Sequence, residues 1–239
     1  MQYRILGKDM QHVRVFLNPG EMVYGEGGHL VTKDPSVNIN AGARGGILKS
    51  FEREMTGGDF FVLELTGPGM VEFSSFFPGR IIPIQVMGQG LSVEHNSFLF
   101  AESTVQYGAK LGKLLAGIFG GEGIFLASFT GQGNVFVHAR GGVSAFNLQP
   151  NQQIQVEAGH LLAFDSGMQY GIQRVGGLKT MLLGGEGLFF VTITGPGRVW
   201  VHNVSILQFA HVLYSRAPPP SPPSPGGFGP QGPSFNINL

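Results

Sequence analysis

The seven histidines (His12, His29, His95, His138, His160, His202 and His211) and the recurring acids are the side chains here with the widest chemical range. A barrel-type metal enzyme of the cupin kind would set paired histidines beside a carboxylate, because imidazole nitrogen and carboxylate oxygen together suit zinc, iron or nickel. No His-x-His step occurs, and the histidines are scattered singly. They do recur at matched places. His138 and His202 each stand eight residues after the threonine of a repeated Thr-Gly-x-Gly step, with Ser74 in the first copy, and His29 and His160 share a second motif. Matched placement predicts one structural task per copy, such as a hydrogen bond that closes a turn. A metal-dependent enzyme is the least favoured reading, and no cofactor is expected.

The acids form two series, Glu26, Glu94 and Glu157, then Asp59, Glu122 and Glu186. General acid–base work needs two carboxyls in one pocket with separated pKa values. Three copies of one acid in glycine-rich turns fit better as acceptors for backbone amides. Gly-x-Ser-x-Gly, a Walker loop and a dinucleotide fingerprint after a strand are all missing from the sequence. With no cysteine there is no thiolate chemistry and no disulfide. No catalytic residue is assigned, and the expectation is a protein that is not an enzyme.

The elements that carry these residues repeat. Thr66-Gly67-Pro68-Gly69 returns as Thr130-Gly131-Gln132-Gly133 and as Thr194-Gly195-Pro196-Gly197, at a spacing of 64 residues each time. Each follows a Gly-Gly-acid step and an aromatic run. Upstream lie Glu26-Gly27-Gly28-His29-Leu30, Glu94-His95-Asn96-Ser97-Phe98 and Glu157-Ala158-Gly159-His160-Leu161. Before those, Val13, Val15 and Leu17, then Ile82, Ile84 and Val86, alternate as half-buried strands do, and Val143, Ala145 and Phe146 do so less regularly. Polar turns at 18–21, 87–90 and 149–152 predict one hairpin per copy. The glycine pairs Gly67 and Gly69, Gly131 and Gly133, and Gly195 and Gly197 predict a second hairpin whose corners use positive φ. Trp200 reads as core, aligned with Phe73 and Phe136.

Short strands with Gly/Pro turns indicate an all-β fold: three tandem sandwich modules over 1–77, 78–140 and 141–212, followed by a tail over 213–239. Segments 46–55, 109–119 and 177–183 have apolar spacing that also suits a helical turn, and read as connections covering the ends of the sandwiches. The tail, rich in proline and glycine, is expected to be extended or disordered.

Charged residues are 13% of 239, and 15 basic residues balance 15 acidic ones. Such a chain has no electrostatic footprint for nucleic acid or an anionic membrane. A low-charge surface predicts burial against further copies of itself, so the expected partner is self, with an additional protein partner left open. The longest apolar runs are far short of the roughly 20 residues of a membrane span. Neither a signal core nor an Arg/Ser-rich transit pattern opens the chain, so the expected location is the cytoplasm, or the mitochondrion for a eukaryotic source.

Gly184-Gly185-Glu186-Gly187-Leu188-Phe189-Phe190 with Thr194-Gly195-Pro196-Gly197 and Glu157-x-Gly159-His160-Leu161 resembles the altered-inheritance-of-mitochondria family, over roughly residues 10–205. The resemblance implies modules similar to the tryptophan-RNA-binding attenuator protein, a short double-stranded β-helix, with three per chain and a trimer making a ring of nine. The yeast relative is tied to mitochondrial inner-membrane organisation. No catalytic residue comes with the family. The favoured function is a non-enzymatic scaffold that assembles as a ring. The alternative is a module binding small ligands between its repeats.

Overall fold

Val13, Val15 and Leu17 are fully or almost fully buried while the residues between them face outward, which is the period-two pattern of a strand with one face on a core. The computed structural model describes residues 1–41, 62–113, 125–175 and 188–216. Along the first part run β1 (Gln2–Leu6), β2 (His12–Leu17), β3 (Met22–Glu26), β4 (Leu30–Lys33), β5 (Asn38–Ala41), β6 (Val62–Thr66) and β7 (Gly69–Ser74). Then come β8 (Gly79–Val86), β9 (Leu91–Glu94), β10 (Phe98–Glu102), β11 (Val105–Lys113), β12 (Phe125–Gly131) and β13 (Gly133–Arg140). The last set is β14 (Val143–Leu148), β15 (Gln153–Glu157), β16 (Leu161–Asp165), β17 (Gln169–Val175), β18 (Leu188–Thr194) and β19 (Gly197–His202), followed by one helix, α1 (Ile206–Ser215).

The fold is all-β, and the described residues form four antiparallel sheets in the orders β1-β2-β7-β4, β5-β6-β3-β10-β13-β8, β11-β12-β9-β16-β19-β14 and β15-β18-β17. Three apolar cores lie between successive sheets. In the first, Phe73 stacks on Phe100 and Phe100 on Phe136, at 4.6 and 4.2 Å between ring centres. The second gathers Val93, Phe98, Phe129 and Val137, and the third Phe164, Phe189, Val191 and Val199.

Both expected hairpins are corrected. β2 pairs with β1 and β7, whereas β3 pairs with β6 and β10, so the 18–21 turn carries the chain from one sheet to another. Likewise β6 and β7 belong to different sheets, and Thr66-Gly67-Pro68-Gly69 is a corner between them. The two corners meet, with the Gly67 amide donating to the Glu21 carbonyl and the Gly195 amide to the Gln152 carbonyl (2.9 Å each). Crowding explains Gly67, where a β-carbon would sit 2.5 Å from the Asn18 carbonyl oxygen; Gly195 is closed off in the same way by Gln149. Positive φ belongs instead to Gly69, Gly131, Gly133 and Gly197. The first glycine of the motif is therefore set by close approach in two copies, and the last by backbone conformation in all three.

Three further readings change. Residues 109–113 continue β11 as strand, while 46–55, 114–119, 177–183 and 217–239 lie outside the described residues, as do Asp59, Glu122 and Glu186. Register aligns Trp200 with Phe136 and Glu72, since these oppose Ala145, Pro83 and Arg14, so Phe73 is not its counterpart. α1 reaches Ser215, taking in residues assigned above to the tail.

Candidate functional site

Each Glu of the first acid series ends a strand and begins a 3-10 turn. Glu26 accepts the Gly28 amide at 3.0 Å, and Glu94 accepts the Asn96 amide at 3.3 Å, as turn-capping oxygens do. Glu157 makes no such cap bond, and its Oε2 lies 3.5 Å from His160 Nε2. The imidazole three residues on ties the turn to the neighbouring strand. His29 Nδ1 donates to the Ser74 carbonyl at 3.0 Å, and His160 Nδ1 to the His202 carbonyl at 2.8 Å. In the middle copy Ser97 stands in that place and its hydroxyl donates to Glu94 Oε2 at 2.6 Å.

The most heavily charged buried cluster surrounds Glu94. Arg140 Nη1 lies 3.3 Å from Glu94 Oε2, with both side chains under a tenth exposed, and Arg140 Nε donates to the Val204 carbonyl. Arg140 Nη2 is 3.0 Å from His202 Nε2. The Gly159 carbonyl oxygen also approaches His202 Nε2, at 3.2 Å, so a donor and an acceptor converge on that nitrogen, while Nδ1 is buried without a hydrogen-bond partner. Burial raises the Glu94 carboxyl, but Arg140, Ser97 and the nearby histidines outweigh it and hold the group below its ordinary value, hence ionised. Burial, and after it Arg140, lowers His202 to about 4. Burial, then Arg140 and His29, lowers His138 to about 4 as well. This cluster clamps β9, β13 and β19 together. No group of three metal-ligating side chains occurs among the described residues.

A third acid series escaped the sequence reading. Asp34, Glu102 and Asp165 accept the amides of Met70, Asn134 and Arg198 at 2.8, 3.0 and 2.8 Å. Each acid stands five residues after position 29, 97 or 160, so the signal was present as a spacing. Asp165 also holds the Arg198 guanidinium, which reaches the Gln85 carbonyl and lies over the Trp200 ring. Arg140 was missed because nothing at its matched positions, Phe76 and Val204, resembles it.

The exposed backbone edges are the other candidate site. β3 pairs with β10 through Gly25–Phe100, Tyr24–Ala101 and Val23–Glu102. β9 pairs with β16 through Val93–Ala163, Ser92–Phe164 and Leu91–Asp165, which is the same register. The amides of Ser103 and Ser166 extend these seams to the Met22 and Gly90 carbonyls. Among the described residues, the matching strands at the two ends, β4 and β15, each form the outer edge of a sheet. Val31 on β4 is 60% exposed, whereas Leu99 and Leu162 at the same place in β10 and β16 are fully buried.

A family model described as mitochondrial biogenesis AIM24 matches residues 3–204. The chain is 24% identical over 218 residues to the uncharacterised protein M6_Spy0233 of Streptococcus pyogenes serotype M6, covering 89% of this chain and 86% of that one. Its fold is similar to the crystal structure of protein SPYM3_0169 from Streptococcus pyogenes, with a TM-score of 0.72 at 21% identity, covering 90% of this chain and all of the other. No described helix is long and apolar enough to cross a membrane.

Proposed function

The chain belongs to the mitochondrial biogenesis AIM24 family, and from that premise we propose that it is a non-enzymatic scaffold built of three copies of one six-strand module, closing head to tail with further copies into a ring. The observation that carries this reading is the pair of open edges. β4 offers the backbone that β10 and β16 have already paired, and β15 offers the backbone that β3 and β9 have paired. An open edge carrying an exposed Val31 is a template for strand addition. Transferring the seam register sets Thr32 opposite Val156, Lys33 opposite Gln155 and Asp34 opposite Ile154 of the next chain. The contact is heterologous, so the rotation between copies decides between ring and filament.

Closure is favoured by a wedge. Packed sheets stand about 10 Å apart face to face. Yet the segments leading into β2, β8 and β14 touch, as Met10 bridges Gly79 and Gly79 bridges Gly141, at the roughly 5 Å spacing of neighbouring strands. Layers that are narrow at one corner and wide elsewhere curve toward that corner, which becomes the inner rim. Three chains complete the ring that the family resemblance implies. Light scattering on purified protein tests the reading: three times the 25.6 kDa chain mass is expected, and a monomer at every concentration contradicts it. Lys33→Pro removes an edge amide, since the adjacent Asp34 amide already points inward to the Met70 carbonyl, and should return the protein to monomers.

A further inference from the structure

The geometry points to a role for α1 that rests on the ring reading: the α1 helices of three chains pack on one another over the inner rim, each burying Phe209, Val212 and Leu213 against the neighbouring copies. These residues follow the i, i+3, i+4 spacing of one helix face and are 44, 50 and 58% exposed. The helix is fixed at its start, where the Ser205 carbonyl accepts the Phe209 amide and the Ser205 hydroxyl accepts the Gln208 amide.

Its position follows from Phe77. The Phe209 ring meets Phe77 edge-on at 5.4 Å between centres, and Phe77 lies two residues before Gly79, the middle member of the Met10–Gly79–Gly141 ladder. α1 therefore begins beside the third segment start and reaches back to the second, along the rim of its own chain. The dimensions agree. Three starts at about 5 Å supply about 15 Å of rim per chain, and ten helical residues span about 15 Å. Nine starts at that spacing give a rim radius of about 7 Å.

The sequence of the helix, ILQFAHVLYS, contains no Asp, Glu, Lys or Arg. A charged partner has nothing to pair with, and an anionic bilayer gains no electrostatic attraction from it. Symmetry-related copies of the same apolar stripe are the occupant these features fit.

The chain has no cysteine, so single thiols can be placed at will. Leu213→Cys treated with a short tris-maleimide should yield a covalent three-chain species. Met87→Cys, exposed at the far end of the eight-residue β8, should yield none. Light scattering on the untreated variant separates the two proposals. A ring mass without cross-linking at 213 overturns the helix cluster and leaves the ring standing, whereas a monomer mass overturns both. Failure to cross-link, together with co-flotation of the protein on neutral phosphatidylcholine vesicles, would assign the stripe to lipid and also overturn the cluster.

Discussion

The β9–β16 seam and the open edges β4 and β15 use the same register positions to opposite ends. At the seam, Arg140 neutralises a buried Glu94, contacts His202 and holds the Val204 carbonyl. At the β3–β10 seam the position of Arg140 is occupied by Phe76, which stacks on His29 at 5.7 Å and remains 76% exposed. In the third copy the matched residue is Val204, and Glu157 lies beside His160. The hydrogen bonding differs too. Pro35, two residues past β4, occupies the place of Ser103 and Ser166, whose amides extend the internal seams, and a proline has no amide proton to give. One backbone register thus supports a charged clamp, an aromatic lid or a sparsely bonded edge. On the proposed ring reading, the internal seams are permanent and the outer edges form a weaker contact that depends on concentration.

The widest separation between the two kinds of seam should come from Arg140→Met. It leaves Glu94 buried and uncompensated, at a cost of about 3–5 kcal/mol. Phe76→Ala, at the matched but exposed position, should change stability by about 0.5 kcal/mol or less. Urea unfolding of both variants measures the contrast, and equal effects would erase it. Acidification acts next. His138 and His202, held near 4 in the fold, protonate nearer 6.5 in the unfolded chain. The unfolded state then binds more protons between those values, so stability is full above about pH 6.5 and falls as pH drops toward about 4. Thermal melts across that window should show the loss, and a His138→Gln/His202→Gln variant should reduce it, the remainder coming from His29 and His95, which burial also lowers. The smallest effect belongs to Pro35→Ser, which restores one seam amide to the open edge. Association should tighten by about 0.5–1.5 kcal/mol per contact, read as a lower dissociation midpoint on dilution.

What the sequence disclosed and what it hid follow from physics. Alternation in 13–17 and 82–86 exposes which face is buried, and Gly69 and Gly197 mark backbone that other residues resist, so strands and corners could be placed. Partner choice could not. Strand, turn, strand reads the same whether the second strand folds back beside the first or crosses to the facing sheet, and both corners here cross. α1 was hidden because its ten residues lie between a strand and the prolines from Pro218 onward, too short a run for helical periodicity to stand out. The capping by Glu26 and Glu94 was foreseen from their turns, whereas the Arg140 ion pair depends on a contact across 46 residues with no repeated partner.

The most direct test is a register-specific cross-link. Lys33→Cys combined with Gln155→Cys sets one thiol on each open edge of a cysteine-free chain. Opposed residues of antiparallel strands lie about 4.5–5.5 Å apart at Cα, within disulfide reach. Mild oxidation should produce a ladder of covalent species that ends at three chains, and moving one thiol from Lys33 to Asn38→Cys, on β5 in another sheet, should abolish it. A double-cysteine protein that stays entirely monomeric after oxidation, or that polymerises without end, would contradict closure through β4 and β15.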